Sequence, residues 1–374
     1  MSDKHLHIIS FDVPYPPNYG GVKDVFSRIK RLSESGVRIH LHCFAYGREP
    51  QPQLENYCEE VCYYRRDTSL WMHGGLQPYI VRSRKNSRLL ERLLKDDYPV
   101  WCEGLHTTAL LTDRRFADRK VYVRLHNVEH DYYRQLSKAE KSCWKRLFFR
   151  VEALKLRRYE RLLRRATALF AITPSDAAYY AASFASVHYL PPFGDSDQVS
   201  SLTGTGNYLL YHANLSVPEN EKAAEYLLEQ LFSKIDFPCC IAGLHPTAAL
   251  LRKVEQYPHI RLVANPSEEE MDELVRNAQA NVLVTFQSTG LKMKLLNALY
   301  KGRFCVVNRA MVSSSGLAQA CRVADTPEAL LAETSALLRQ PFTEAMREER
   351  QRLLQSRYCD ARHVDQLLHL IFHP

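Results

Sequence analysis

Apolar residues are concentrated in short runs along the chain, and each run ends in small or polar residues before a segment with helical spacing. The runs are LHIIS, RIHLHCF, VWCEG, KVYVRLH and ALFAIT in the first half, and YLLYHAN, CCIAGL, IRLVAN, ANVLVTF and FCVVN in the second. Strands that alternate with helices in this way form parallel sheets with helices on both faces. The pattern therefore predicts an α/β fold.

A segment without periodicity, PPFGDSDQVSSLTGTGN at 191–207, separates the two groups of runs. We interpret it as a linker, because 374 residues exceed what one hydrophobic core usually accommodates. We predict doubly wound domains at 1–195 and 206–345, followed by helices at 346–374 that pack back toward the first domain. Ligands of open α/β sheets bind beyond the carboxyl ends of the strands, so we expect the site in a cleft between the domains.

The composition is that of an ordinary globular protein, with 45% hydrophobic and 25% charged residues. The N-terminal sequence MSDKHLHIISFDVP lacks the layout of a secretory signal, and no run approaches the length of a membrane span. We therefore expect a cytoplasmic protein whose ten cysteines are mostly reduced thiols. Cys58 and Cys62 have no matching second pair or histidine cluster, and no nucleic-acid recognition module is visible, so neither a metal nor a nucleic acid is expected.

The net charge of +8 is concentrated between Lys138 and Arg165, where eleven Lys and Arg residues oppose three Glu residues. Trp144, Leu147 and Phe148 lie among these charges. A basic helix with such apolar residues is typical of peripheral attachment to an anionic bilayer, so 138–165 is a candidate contact with the inner face of the membrane. A long amphipathic helix with a solvated charged face accounts for the same pattern.

Polar residues stand at the exits of the predicted strands in the first half. Gly20 and Gly21 close the loop after LHIIS, and paired glycines let backbone N–H groups approach a phosphate or sugar, although a tight turn also needs glycine. Glu103 ends the run VWCEG before its final glycine, and His126 opens the cluster HNVEHD. Because polar groups are costly to bury without partners, we predict that Glu103 and His126 line the cleft, with His126 facing the reacting substrate.

A second candidate site lies in the second half, where GLKMKLLNALYKG at 290–302 follows ANVLVTF and a short turn. We predict a helix from about Leu291, with Lys292 and Lys294 in its first turn. The free N–H groups of that turn already carry partial positive charge, so acidic residues are normally preferred there. At 100° per residue, one stripe holds Gly290, Lys294, Asn297 and Lys301. We infer an anion-binding helix start; lysines that simply reach solvent are the alternative.

The segment GLKMKLLNALYKGRFCVVN resembles the donor-site helix of retaining nucleotide-sugar glycosyltransferases of the GT-B fold, of the mannosyl- and glucosyltransferase-like family 4 type. Other matches follow in the same order over nearly the whole chain. They are Gly20-Gly21, EGLH at 103–106, HNVEHDYYRQL at 126–136, RRYERLLRRATALFAITPSD at 157–176 and NLSVPENEKAAEYLL at 214–228.

The resemblance implies transfer of a hexosyl unit from a nucleoside diphosphate sugar to a glycan or lipid-linked acceptor with retention of configuration. A Rossmann-like acceptor domain would precede a Rossmann-like donor domain, and no metal or other cofactor would be needed, because protein cations stabilise the departing diphosphate. It implies catalytic roles for His126 and Glu103 and an acceptor or phosphate contact at Gly20 and Gly21. The donor-binding residues that it implies are Gly290, Leu291, Lys292, Lys294, Asn297, Asn214 and Gly243.

The chain departs from the family pattern at three places. Asn297 stands where the family has a glutamate for the ribose hydroxyls, and the partner glutamate is missing from the turn 287–289. Asn214 and Asn220 align with an Arg and a Lys that grip the diphosphate. A non-catalytic nucleotide-sugar or glycan-binding protein in a polysaccharide biosynthesis complex is therefore a second hypothesis, and a sugar-nucleotide epimerase is a third.

Overall fold

The computed structural model of the protein describes residues 4–17, 20–140, 142–194, 198–287, 290–313 and 315–372. The chain divides into two compact units, one ending at Phe193 and including the C-terminal segment from Asp360, and the other spanning Gly194–Cys359. Part of the predicted linker, residues 195–197, lies outside the described residues.

Each unit contains one sheet, and neighbouring strands in both sheets are parallel. The described strands of the first unit are β1 (Lys4–Ser10), β2 (Val37–Ala45), β3 (Glu60–Arg65), β4 (Val100–Glu103), β5 (Val121–Leu125), β6 (Ala168–Ala171) and β7 (Val187–Tyr189). Those of the second are β8 (Leu209–Asn214), β9 (Cys239–Leu244), β10 (Ile260–Ala264), β11 (Ala280–Leu283), β12 (Phe304–Val307) and β13 (Arg322–Val323).

Helices connect these strands. The described α-helices up to residue 230 are α1 (Gly20–Glu34), α2 (Tyr79–Arg82), α3 (Ser87–Leu93), α4 (Glu129–Ala139), α5 (Cys143–Tyr159), α6 (Pro174–Ala181) and α7 (Pro218–Gln230). The later ones are α8 (Ala248–Val254), α9 (Glu268–Asn277), α10 (Met293–Lys301), α11 (Arg309–Val312), α12 (Pro327–Leu337), α13 (Glu344–Tyr358) and α14 (Asp360–Phe372). Short 3₁₀ helices occur at Pro52–Asn56, Leu70–His73, Leu105–Thr112, Arg114–Phe116, Glu160–Arg165, Phe232–Lys234 and Ala318–Ala320.

All ten predicted apolar runs form strands, so the predicted α/β fold with two parallel sheets is confirmed. The strands that the pattern did not predict are β3, β7 and β13, which lie at sheet edges. Edge strands are covered less completely than central ones, and the residues of β7 are only half-buried. Their sequences therefore lack the continuous apolar run by which a buried strand is recognised.

The order of strands reverses once in each sheet. The orders are β3-β2-β1-β4-β5-β6-β7 and β10-β9-β8-β11-β12-β13. In the first sheet, β2 and β3 lie on one side of β1, whereas β5, β6 and β7 lie beyond β4 on the other side. In the second sheet, β9 and β10 lie on one side of β8, and β12 and β13 lie beyond β11 on the other. In doubly wound sheets such a reversal leaves a crevice beyond the carboxyl ends of the two central strands. Each unit thus has one preferred place for a ligand.

The C-terminal residues are shared between the two units. Leu354 and Tyr358 of α13 belong to the hydrophobic core of the second unit, whereas Leu367 and Ile371 of α14 belong to a core cluster of the first. The hydroxyl of Tyr122 on β5 also donates a hydrogen bond to the carbonyl of Leu370, at 3.2 Å. Of the predicted tail 346–374, the part that joins the first unit begins at Asp360.

The basic segment predicted as one helix at 138–165 is divided, which corrects that prediction. It includes the end of α4, the whole of α5 and a 3₁₀ helix at Glu160–Arg165. None of the helices that the structure describes has both the length and the apolar character needed to cross a membrane.

Candidate functional site

The order reversal of the first sheet brings together charged residues of three elements and a histidine that follows one of them. Asp24 and Arg28 lie one turn apart on α1, Glu103 ends β4, Arg124 belongs to β5, and His126 directly follows β5. Arg28 donates to both Asp24 and Glu103, and Arg124 donates to Asp24 at 3.2 Å. Two guanidinium groups therefore neutralise two carboxylates inside the protein, which is the condition for burying charges at this depth.

Glu103 holds the His126 ring in one orientation. Oε2 of Glu103 lies 3.0 Å from Nε2 of His126, and Oε1 accepts a hydrogen bond of 2.7 Å from the Trp101 indole. Burial raises the pKa of Glu103, but Arg28 and the His126 hydrogen bond outweigh it, and the pKa lies below its ordinary value. Because the ionised carboxylate can only accept, Nε2 of His126 is the donor.

The ring of His126 therefore presents Nδ1 as its available nitrogen. Nδ1 has no hydrogen-bond partner among the described residues, and the side chain is 14% exposed, whereas that of Glu103 is 0% exposed. Phe11, which follows β1, contacts the ring edge-on with centroids 5.5 Å apart. The structure therefore corrects one part of the prediction: Glu103 does not line a surface but positions His126, which alone of the two can touch a substrate.

The ligand atoms of Asp24, Glu103 and His126 lie within 4.8 Å of one another, a spacing that a metal ion could bridge. The donor set does not fit a resident cation, because Arg28 and Arg124 already neutralise the two carboxylates and occupy their oxygens. The cluster is an ion-pair network. It also reaches the end of the first unit's N-terminal segment, since Asp24 accepts from the backbone N–H of Phe193 at 2.8 Å.

Two further residues of the cluster HNVEHD, Glu129 and His130, are held within the fold. Nδ1 of His130 lies 2.8 Å from Glu160, and both side chains are largely buried. Glu129 is buried, and this burial raises its pKa to about 8. Gly20 and Gly21, which we expected to close the loop after LHIIS, are the first two residues of α1 and are half-buried. Of the predicted residues in this unit, His126 remains the best-placed candidate for substrate contact.

In the second unit, two helices begin at the order reversal between β8 and β11. The helix α10 begins at Met293 and not near Leu291, which corrects the predicted start. Lys292 is the residue before the helix, with an extended backbone, and only Lys294 lies in the first turn. Leu291 packs against the core, and Gly290 has a φ of 68°, a left-handed conformation that favours glycine. Ser288 and Thr289 of the predicted turn lie outside the described residues.

Lys294 connects α10 to the start of α7. Its Nζ donates to Oδ1 of Asn220 at 3.2 Å and lies 5.1 Å from the centre of the Tyr211 ring. The amide of Asn220 in turn donates to the backbone carbonyl of Asn214, at 2.9 Å. Burial lowers the pKa of Lys294 to about 8, and it lowers that of Lys292 as well. Both ammonium groups are thus held in surroundings that solvate charge poorly, which favours contact with an anion.

A residue that the sequence did not single out, Glu219, stands in the first turn of α7. Its Oε1 accepts from the hydroxyl of Thr285 and from the backbone N–H groups of Phe286 and Gln287, the latter at 3.2 and 3.1 Å. It also opposes the burial effect on both lysines, because its negative charge raises their pKa values. An acidic residue is ordinary at a helix start, so no feature of the sequence marks Glu219 as a site residue. Glu219 is thus a carboxylate whose negative charge acts on both lysines of this reversal.

The other residues that we predicted to bind the donor have different surroundings in the structure. Oδ1 of Asn214 accepts from the backbone and hydroxyl of Ser216, so the side chain shapes the turn before α7. Gly243 lies so close to β8 that a Cβ would sit 1.9 Å from the carbonyl oxygen of Ala213. Asn297 is half-buried, without a hydrogen bond to another described residue. Lys301, at the far end of α10, forms an ion pair with Asp272. The predicted stripe therefore contributes Lys294 to the site but not Lys301.

The chain is similar to known proteins in sequence and in fold. Residues 206–340 match the family model described as glycosyl transferases group 1. An uncharacterised 44.6 kDa protein in the cps region of Klebsiella pneumoniae is 24% identical over 322 residues, which cover 80% of this chain and 81% of that protein. The matched family segment contains both helix starts at the β8–β11 reversal.

Solved structures of several proteins share the fold over the full chain. TarM is 8% identical and covers 99% of both chains with a TM-score of 0.68. Anabaena Alr3699/HepE, determined in complex with UDP and glucose, is 10% identical, with 97% of this chain and 98% of that chain covered and a TM-score of 0.66. WaaG, a glycosyltransferase involved in lipopolysaccharide biosynthesis, is 13% identical, with coverages of 99% and 100% and a TM-score of 0.65.

Proposed function

We propose that this chain, which has the GT-B fold and a group 1 glycosyl transferase segment at 206–340, transfers a hexosyl unit from a nucleoside diphosphate sugar to a glycan or lipid-linked acceptor. Transfer proceeds with retention of configuration and without a metal ion, in the cytoplasm. The second unit binds the nucleotide, and the first unit binds the acceptor.

One observation carries the proposal: the starts of α7 and α10 converge with Lys292 and Lys294 at the order reversal of the second sheet. A diphosphate placed there meets backbone N–H groups, two helix dipoles and two ammonium groups. The same charges stabilise the diphosphate as it departs, which is the electrostatic contribution that a transferase needs. The position of both lysines at this reversal, where burial lowers the pKa of each ammonium group, supports an anionic ligand.

In the first unit, His126 contacts the sugar that is transferred. Nδ1 of the ring accepts a hydrogen bond from a hydroxyl group of the sugar, while Nε2 donates to Glu103. Arg28 and Trp101 keep Glu103 ionised and in place. A fixed imidazole orients the reacting sugar without having to reorganise during the reaction.

Binding of UDP and GDP to the wild type and to Lys294→Ala, measured by isothermal titration calorimetry, tests the donor site. We expect at least one nucleotide to bind, and the substitution to cost about 2–3 kcal/mol, because charge-assisted hydrogen bonds to phosphate contribute about that much. Lys301→Ala is the matched control, since Lys301 lies on the same helix but is paired with Asp272.

Absence of heat with every nucleoside diphosphate would contradict the proposal, and so would equal losses from the two lysine substitutions. A protein that binds a nucleotide but turns over no sugar nucleotide would be the non-catalytic binding protein considered above. Consumption of a sugar nucleotide with release of its nucleoside diphosphate identifies the transferase.

A further inference from the structure

Large apolar side chains with the greatest exposure among the described residues are confined to two segments of the first unit. In the segment 70–76 they are Leu70 (85%), Trp71 (84%) and Leu76 (82%), and in α5 they are Trp144 (83%) and Leu154 (71%). Single exposed apolar residues are ordinary on protein surfaces, but a group of this size marks an interaction surface.

The exposed residues of α5 follow helical spacing. Trp144, Leu147, Val151 and Leu154 are separated by three or four positions and therefore form one stripe. The residues that α5 buries in the fold, Glu152, Leu156 and Tyr159, lie on a different side of the helix. The apolar stripe is thus not the core face of this helix, and the fold itself leaves it exposed.

The segment 70–76 lies against α5. The ring of His73 contacts the Phe148 ring edge-on, with centroids 5.3 Å apart, and stacks on Tyr79 at 4.2 Å. Nζ of Lys155 donates to the backbone carbonyl of His73 at 3.2 Å. These contacts hold the exposed residues of both segments in one region, which we call the α5 surface (residues 70–76 and 143–161).

Basic residues continue the stripe and flank it. Arg158 and Arg161 follow Leu154 at the same helical spacing, and Arg150 and Arg157 are exposed beside it. Leu154 and the arginines 157, 158 and 161 line a surface depression of about 350 Å³. Exposed acidic residues are absent from the described part of 142–165, where Glu152 and Glu160 are buried. The α5 surface therefore combines apolar side chains with uncompensated positive charge.

We propose that the α5 surface binds the headgroup region of a bilayer that contains anionic lipids. Trp and Leu side chains enter the interface, where indole rings partition favourably, while the guanidinium groups contact lipid phosphates. Two copies of this surface would bring like charges together, which disfavours self-association through it. This inference does not depend on the identity of the donor nucleotide or on sugar transfer.

Tryptophan fluorescence and vesicle co-sedimentation test this inference with the full chain. The protein has three tryptophans; Trp71 and Trp144 lie on the α5 surface, and Trp101 is buried. Vesicles of equimolar phosphatidylcholine and phosphatidylglycerol should sediment the protein and shift its emission to shorter wavelength. Vesicles of phosphatidylcholine alone should bind it at least about tenfold more weakly, since each basic residue near an anionic surface contributes about 1 kcal/mol.

The triple variant Arg157→Glu, Arg158→Glu, Arg161→Glu should lose at least about tenfold in binding to the mixed vesicles. Trp144→Ser with Leu154→Ser should reduce both sedimentation and the emission shift. The matched control has the same change of charge at exposed residues of other elements in this unit, Arg88→Glu, Lys95→Glu and Arg114→Glu, and should retain most of the binding.

Equal binding by the two triple variants would overturn the inference, as would failure of the wild type to bind the mixed vesicles. A wild type that ignores vesicles but forms an oligomer dispersed by the serine substitutions would show that the surface binds protein. Circular dichroism and urea unfolding establish that each variant is folded.

Discussion

Lys294 holds its charge in a half-buried position between Asn220 and the Tyr211 ring. Burial lowers its pKa to about 8, although the negative charge of Glu219 acts in the opposite direction. The ammonium group is therefore charged at neutral pH and loses its proton a little above it. A bound diphosphate would favour the charged form and raise this pKa.

Affinity for UDP or GDP should therefore fall as the pH rises from 7 through about 8 to 9.5, because the neutral amine no longer pairs with phosphate. Calorimetry at each pH measures this fall. In Lys294→Arg the guanidinium stays charged over the whole range, so the profile of this variant should be flatter. The comparison at equal pH removes any titration of the nucleotide itself. Parallel profiles of the two proteins would exclude Lys294 from the diphosphate contact.

The pair β1–β2 contains a buried chain of histidines. Nδ1 of His7 lies 2.9 Å from Nε2 of His42, Nε2 of His7 lies 2.9 Å from Asp96, and Nδ1 of His42 lies 3.0 Å from the Tyr64 hydroxyl. Burial lowers the pKa of His7 to about 4, despite the hydrogen bond to Asp96, and lowers that of His42 to about 3. Both rings are therefore neutral in the folded protein at neutral pH.

These histidines should make the protein less stable in mild acid. Above pH 6.5 they are neutral in both states, but below it the unfolded chain binds protons that the folded protein does not bind until about pH 4. At pH 5 each histidine then lowers the free energy of unfolding by about 2 kcal/mol. Urea unfolding at pH 7 and pH 5 measures the change.

The pH dependence should be smaller in His42→Gln, whatever its stability at pH 7, because one titrating group is removed. His369→Gln changes an exposed histidine of α14 and is the matched control, which should keep the wild-type dependence. An unchanged pH dependence in His42→Gln would mean that other groups titrate between pH 7 and pH 5.

The two C-terminal helices belong to different units: α13 packs into the core of the second unit and α14 into that of the first. Leu354 of α13 and Leu367 of α14 are thirteen positions apart and both fully buried, yet they belong to the cores of different units. Each unit has its own sheet and its own apolar clusters. A cavity made in one core should therefore affect the stability of that unit first.

Leu367→Ala should lower the free energy of unfolding of the first unit by about 2–5 kcal/mol, because it removes a buried side chain and leaves a cavity. Hydrogen exchange followed by mass spectrometry should show faster exchange in β1 and β2 and little change in β8 and β9. Leu354→Ala should show the reverse. If both variants accelerated exchange in the same strands, the assignment of α13 and α14 to different units would be wrong.

Sequence patterns predicted the elements better than their boundaries or their partners. The run KVYVRLH predicted β5, and His126 was recognised because it directly follows that strand. The start of α10 was placed two residues too early, since GLKM has the same apolar spacing as the helix behind it. Lysines at a helix start, where acidic residues are normally preferred, marked Lys294 as a candidate, whereas Glu219 looked like any acid at a helix start.

The sequence by itself determined ten of the described strands, because a strand buried on both faces must be apolar along its length and so forms a recognisable run. Only the tertiary structure decided which residues that lie far apart along the sequence contact each other. Arg28 meets Glu103 across 75 positions and Lys294 meets Asn220 across 74. Whether Trp144 faces a core or solvent likewise depends on which side of α5 the rest of the unit covers. Contacts with distant residues decide which side is covered, because the periodicity of the helix alone does not distinguish an exposed apolar stripe from a buried one.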